Sequence, residues 1–117
     1  KEINTHESIE TYRNEYENFE RKDILFIKNE YTGILENVEK IDSIIDKFSI
    51  GWSVDRLSTV DKAILRIAVY EIMFDDDIPN KVSVNEAVEL AKEFSEDKAP
   101  SFINGVLGKV VRYKEAN

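Results

Sequence analysis

Apolar residues along this chain recur at steps of three and four, and strand-like alternation is hard to find. After Ser8, a candidate N-cap, Ile9, Tyr12, Tyr16 and Phe19 mark a short amphipathic helix that ends near the charged cluster 20–23. The longest stripe follows. Ile24, Ile27, Tyr31, Ile34, Val38, Ile41, Ile45 and Phe48 step without a break, broadened by Leu25, Leu35 and Ile44. This spacing predicts one helix of about 25 residues capped by Asp23. Gly33 inside it costs about 1 kcal/mol relative to Ala, which predicts a close helix contact there. A coiled coil is the competing reading, but the pattern stops after barely three heptads.

Residues 49–53 (Ser-Ile-Gly-Trp-Ser) break the pattern. Ser58 then caps a third helix, with Asp61 three residues on, and Val60, Ile64, Leu65, Ala68, Val69, Ile72 and Met73 give it a wide apolar face. That helix is expected at the centre of the core, ending at the turn Asp75–Pro79. Ser83-Val84-Asn85-Glu86 has the S-x-x-E form of a capping box and predicts the next helix start at Ser83, with Ala87, Val88, Leu90, Ala91 and Phe94 following at helical spacing. Pro100 suits the first turn of a last helix, whose apolar face is Ile103, Val106, Leu107, Val110 and Val111. Gly105 and Gly108 within it would let another backbone approach. The fold class expected is all-α: about five helices in a compact bundle, one domain over 1–117.

Composition narrows the chemistry. The 117 residues are 42% hydrophobic and 34% charged, with a formal net charge of −8, no cysteine and one histidine. Disulfides and thiolate metal sites are excluded, and a cytoplasmic setting is the simple expectation. There is no apolar run of membrane-span length. An acidic chain does not hold nucleic acid by a broad basic surface. His6 reads as a solvated residue, as do the acidic positions Glu7, Glu10, Glu17 and Glu20. The run Asp75–Asp77 lacks the spacing and glycine of an EF-hand loop. No nucleophile–histidine pair, phosphate loop or catalytic carboxylate pair is evident, so neither an enzyme nor a cofactor or metal site is expected. Arg66, set among apolar positions, should persist only if paired. Glu71 and Glu86 are the partners considered, the latter beside Asn85 at the expected helix start.

From Trp52 onward the chain closely resembles the NusB family. Asp61-Lys62-Ala63-Ile64-Leu65-Arg66-Ile67-Ala68-Val69-Tyr70-Glu71 is similar to that family's central helix, and the run 78–92 to its next turn and helix. Ser101-Phe102-Ile103-Asn104-Gly105-Val106-Leu107 resembles the F-[IV]-N-G-[VI]-L signature of its last helix. The resemblance implies a pair of small helical bundles. It also implies a factor that binds boxA RNA together with the NusE-like small-subunit ribosomal protein, so that the RNA polymerase elongation complex reads through terminators, notably in ribosomal RNA operons. The family's arginine-rich first helix has no counterpart here, and Lys1-Glu2-Ile3-Asn4 would follow it. By resemblance the remaining RNA contacts are Asp61, Lys62, Lys98, Ser101 and Phe102. Phe102 is open to two readings, a core residue or a platform for a splayed base. Trp52 is expected as a buried anchor of its loop, and Asn104 and Gly105 as residues that shape the last helix and its packing. Two alternatives remain. One is the NusB-like module of a ribosomal RNA cytosine methyltransferase, against which the chain's ending just past the last helix speaks. The other is a helical interaction module that binds no RNA, such as a homodimer through an exposed apolar face.

Overall fold

The computed structural model describes residues 21–117 of the chain. The helix predicted from Ile9 to Phe19, His6 and the acidic positions 7–20 lie outside the described residues. Backbone contacts divide the chain into Lys1–Thr32 and Gly33–Asn117. The described residues form five α-helices and no strand: α1 (Arg21–Glu36), α2 (Val38–Phe48), α3 (Thr59–Phe74), α4 (Asn80–Phe94) and α5 (Ala99–Ala116), with one 3-10 turn at Val54–Arg56. None of these helices is long and apolar enough to cross a membrane.

Within Gly33–Asn117, α3 is central and packs on α2, α4 and α5, while α4 and α5 share the most extensive contact. The core is the apolar stripe of each helix turned inward: Ile41 and Ile45 from α2, Leu65, Val69 and Ile72 from α3, and Ile103, Leu107 and Val110 from α5, all fully buried. The inner row of α4 is made of small residues, Ser83, Ala87 and Ala91, four apart and buried. Short side chains there let α4 lie close against its neighbours.

Local chemistry accounts for most helix limits. Ser58 caps α3, its Oγ accepting the Asp61 N–H at 3.1 Å. Pro100 stands in the first turn of α5, where its missing N–H goes unneeded. Three expectations are corrected. Asp23 lies inside α1 rather than capping it, and the single long helix is two, broken at Asn37. There the backbone leaves helical geometry (φ −117°, ψ 15°). Asn37 donates both its backbone N–H (3.1 Å) and its side-chain amide (2.8 Å) to the Gly33 carbonyl. A short polar side chain that bonds the local backbone competes with the helical ladder. Second, α4 begins at Asn80, three residues before the supposed capping box. The Pro79 carbonyl accepts from the Val82 and Ser83 N–H groups at 2.9 and 3.3 Å, so Asn85 and Glu86 are exposed residues inside the helix. Ser83, freed from capping, is buried and donates its hydroxyl to Glu71 Oε1 at 2.9 Å.

The third correction concerns Arg66. It is paired, but with Asp42 of α2 rather than Glu71 or Glu86: Nε donates to Oδ1 at 2.8 Å and Nη2 to Oδ2 at 2.7 Å. Gly105 and Asn104 also depart from expectation, being exposed, and a Cβ at Gly105 would meet nothing within 4 Å. Gly108 is likewise no backbone crossing, since its nearest neighbour would be the Arg112 side chain at 3.7 Å.

Gly33 does mark a close contact, although with a ring rather than a backbone. A Cβ there would lie 2.5 Å from Tyr70 Cζ and 2.6 Å from Cε1. Gly→Ala inside a helix ordinarily stabilises by about 1 kcal/mol, but here the ring must give way, and overpacking costs about 1–3 kcal/mol. Gly33→Ala is therefore expected to lower the denaturant midpoint, and to raise it in a Tyr70→Ala background. A stabilising effect with Tyr70 present would mean that the ring slides aside freely.

Candidate nucleic-acid interface

Three chain segments meet at one end of α3. Ser58 and Asp61 come from its first turn, where the cap sets the entry of the chain. The turn between α4 and α5 arrives beside them, tied by a hydrogen bond from Ser95 Oγ to Asp61 Oδ1 at 2.6 Å. Asp61 thus serves two roles, with its N–H in the cap and its carboxylate joining the two ends. The third segment is the loop after α2, continuing through the 3-10 turn.

Between them lies a cleft of about 320 Å³. Leu57, Ala99 and Phe102 form its apolar wall; Trp52, Arg56, Ser58, Asp61, Glu96 and Lys98 complete the lining. The two cations, Arg56 and Lys98, are exposed, as is Glu96, whereas Asp61 is half-buried. Two carboxylates facing two cations leave the lining without net charge. Such a cleft cannot hold an anion by bulk electrostatics, and it favours a ligand with a flat apolar part and charge at its edge.

Of the residues expected to contact RNA, Asp61, Lys98 and Phe102 come together here. Lys62 and Ser101 do not line the cleft; Ser101 is exposed beside Phe102, and Lys62 is half-buried on α3. Phe102 packs against the core cluster and also forms cleft wall. Trp52 overturns its expectation. It is 52% exposed rather than a buried anchor, because the loop backbone is held by smaller groups and the indole is left outside. Arg56 was not anticipated at all; its guanidinium carbon lies 5.7 Å from the Trp52 ring centre. A cation four residues from an exposed aromatic, beyond a glycine-bearing loop, is the signal that could have found it.

Among the described residues no group of three His, Cys, Asp or Glu side chains converges as a metal site would require. Arg66, away from the cleft, has its pKa raised, chiefly by the hydrogen bond to Asp42 and by that carboxylate's charge, with burial opposing.

Comparison with known proteins decides the family. The NusB family model matches residues 1–112. The chain belongs to the NusB family. It is 45% identical over 115 residues to the transcription antitermination protein NusB of Clostridium perfringens, covering 95% of this chain and 85% of that protein. With the protein of the same name from Clostridium novyi it shares 47% identity over 114 residues, covering 94% and 86%. The crystallised T. maritima NusB superposes with a TM-score of 0.78 at 36% identity, covering 82% of this chain and 68% of that one. The all-α bundle is thus the NusB fold.

Proposed function

We propose that this chain is a transcription antitermination factor, a binding protein rather than an enzyme. It works in the cytoplasm, holding boxA RNA together with a NusE-like small-subunit ribosomal protein so that the RNA polymerase elongation complex reads through terminators. The observation that carries this reading is the cleft at the end of α3, where Asp61, Lys98 and Phe102 meet in a chain of the NusB family. An aromatic wall and an exposed lysine suit an unstacked single strand, whose bases can stack while its phosphates remain in solvent.

The net charge of −8 argues that phosphate contacts are few and local, so affinity depends on particular cations. Lys98→Glu is expected to weaken binding of a boxA RNA oligomer about tenfold, in the presence of the ribosomal protein, and to reduce the salt dependence of affinity by about one counterion. Fluorescence anisotropy of end-labelled RNA measures both. Unchanged affinity and slope would remove Lys98 from the interface. No binding of boxA RNA at any salt, with the ribosomal protein present, would overturn the antitermination reading.

A further inference from the structure

The loop after α2 is unusually well anchored for one that leaves its largest side chain outside. Ser49 is 2% exposed; it donates its N–H to the Ile45 carbonyl at 2.8 Å and its hydroxyl to the Trp52 carbonyl at 2.5 Å. The Trp52 N–H returns to the Ser49 carbonyl at 3.0 Å, across a turn that Gly51 makes with φ +87°. Two residues on, Val54 is buried and its N–H donates to Asp46 Oδ1 at 2.6 Å. The backbone on both sides of Trp52 is therefore tied down, and none of those ties uses the indole. An indole that is half in water gives little to the core, while a loop backbone already tied down lowers the cost of offering its flat face to a partner.

We propose that Trp52 is the stacking platform for one unstacked nucleobase, with Arg56 beside it to meet the adjoining phosphate. The proposal rests on the RNA-binding reading above and adds to it a recognition element from a different segment of the chain. The charges of the cleft set the orientation. Asp61, half-buried, and Glu96 repel a phosphate that would enter, whereas the exposed Arg56 and Lys98 attract one that stays outside. A nucleotide satisfies this arrangement base-first, against the apolar surfaces of Trp52 and Phe102. Base–aromatic stacking tolerates any sequence because every base has a π-face, so this platform supplies affinity without choosing the base.

Trp52 is the chain's single tryptophan, so it reports on itself. A single-stranded boxA RNA 12-mer is titrated into the full chain, with and without the ribosomal protein partner, and binding is followed by anisotropy of the labelled RNA. Tryptophan emission is recorded on the chain alone, or against a tryptophan-free partner. Emission is expected to fall in step with the anisotropy. Trp52→Leu, which keeps apolar bulk but no π-face, is expected to lose about tenfold in affinity at an unchanged salt slope, while Trp52→Phe keeps most of it. Arg56→Ala should instead lower the slope by about one. Saturable RNA binding with unchanged emission, and equal affinities for Trp52→Leu and Trp52→Phe, would overturn the platform and leave the RNA-binding reading standing. If no RNA binds under either condition, both fall together. A role confined to loop stability would lower the unfolding midpoint of both variants and leave their RNA affinities alike, which also overturns the platform.

Discussion

Leu65→Ala is expected to lower the unfolding free energy by about 3 kcal/mol, within the range for a fully buried leucine cut to alanine. Leu65 has no exposed surface, lies mid-way along α3, and belongs to the cluster shared by α2, α4 and α5. Because those helices hold one another, they cannot all move to fill the space, so the cavity contribution should persist on top of the lost transfer energy. With a urea dependence of about 2 kcal/mol per molar, the midpoint of the far-ultraviolet transition should fall by roughly 1.5 M at constant slope. Ile67, two residues on, provides the control. It is 39% exposed, and Ile67→Ala should cost less than about 1 kcal/mol. Equal effects at the two positions would mean that α3 is not the central helix of this core. Domains of this size are stable by only about 5–15 kcal/mol, so the Leu65 substitution removes a large share of the total.

That α3 lies at the centre was legible in the sequence, because Ile64, Leu65, Ala68, Val69 and Ile72 cover more than one face of a helix and must meet several neighbours. Ser58 and Pro100 were legible for the same reason: a cap and a first-turn proline act through their own backbone, over three or four residues. What failed depended on residues distant in the chain, or on a choice between two local options. The box at Ser83 is sound as a local signal. A helix that starts at Asn80 extends the backbone ladder back to the Pro79 carbonyl and sends the serine hydroxyl to Glu71, twelve positions away. Asn37 could equally have sat on a helix surface; its backbone instead leaves helical geometry while its side chain bonds the Gly33 carbonyl. Trp52 was assigned to the interior on its size and apolarity, as large aromatics usually are. Its exposure is decided by Ser49, Gly51 and Asp46, which hold the loop without it. In the cleft, Asp61, Lys98 and Phe102 came from a family resemblance rather than from periodicity. Glu96 carries no pattern of its own, and only the folded chain brings it to the same place as Arg56.

The Arg66–Asp42 pair is the second site where a large effect is expected, and it tests a contact that helical spacing could not locate, the partners being 24 residues apart on separate helices. The guanidinium meets the carboxylate in a two-pronged geometry, and the two side chains are 31% and 22% exposed. Hydrogen bonds between charged groups contribute about 1.5–3 kcal/mol, and partial solvent screening places this pair near the lower end. Arg66→Ala is therefore expected to cost about 2 kcal/mol, which includes leaving Asp42 without its partner. Arg66→Lys should recover less than half of this, since an ammonium cannot make both prongs at once. The pH dependence follows from the raised pKa of Arg66. A cation whose folded pKa lies above its unfolded value contributes its full stability below the unfolded value and loses it only as pH rises past the folded one. For arginine that window is strongly alkaline, so the guanidinium's contribution should be constant across neutral pH. A double-mutant cycle of Arg66→Ala and Asp42→Ala, read from urea midpoints, should give a coupling of about 1.5 kcal/mol. The same cycle with Glu86→Ala should give none, because Glu86 is exposed on α4 and bonds nothing across to α3. Additive effects for Arg66 and Asp42 would mean that the two prongs do not persist in solution. α2 would then be held to α3 chiefly by its buried isoleucines, Ile41, Ile44 and Ile45.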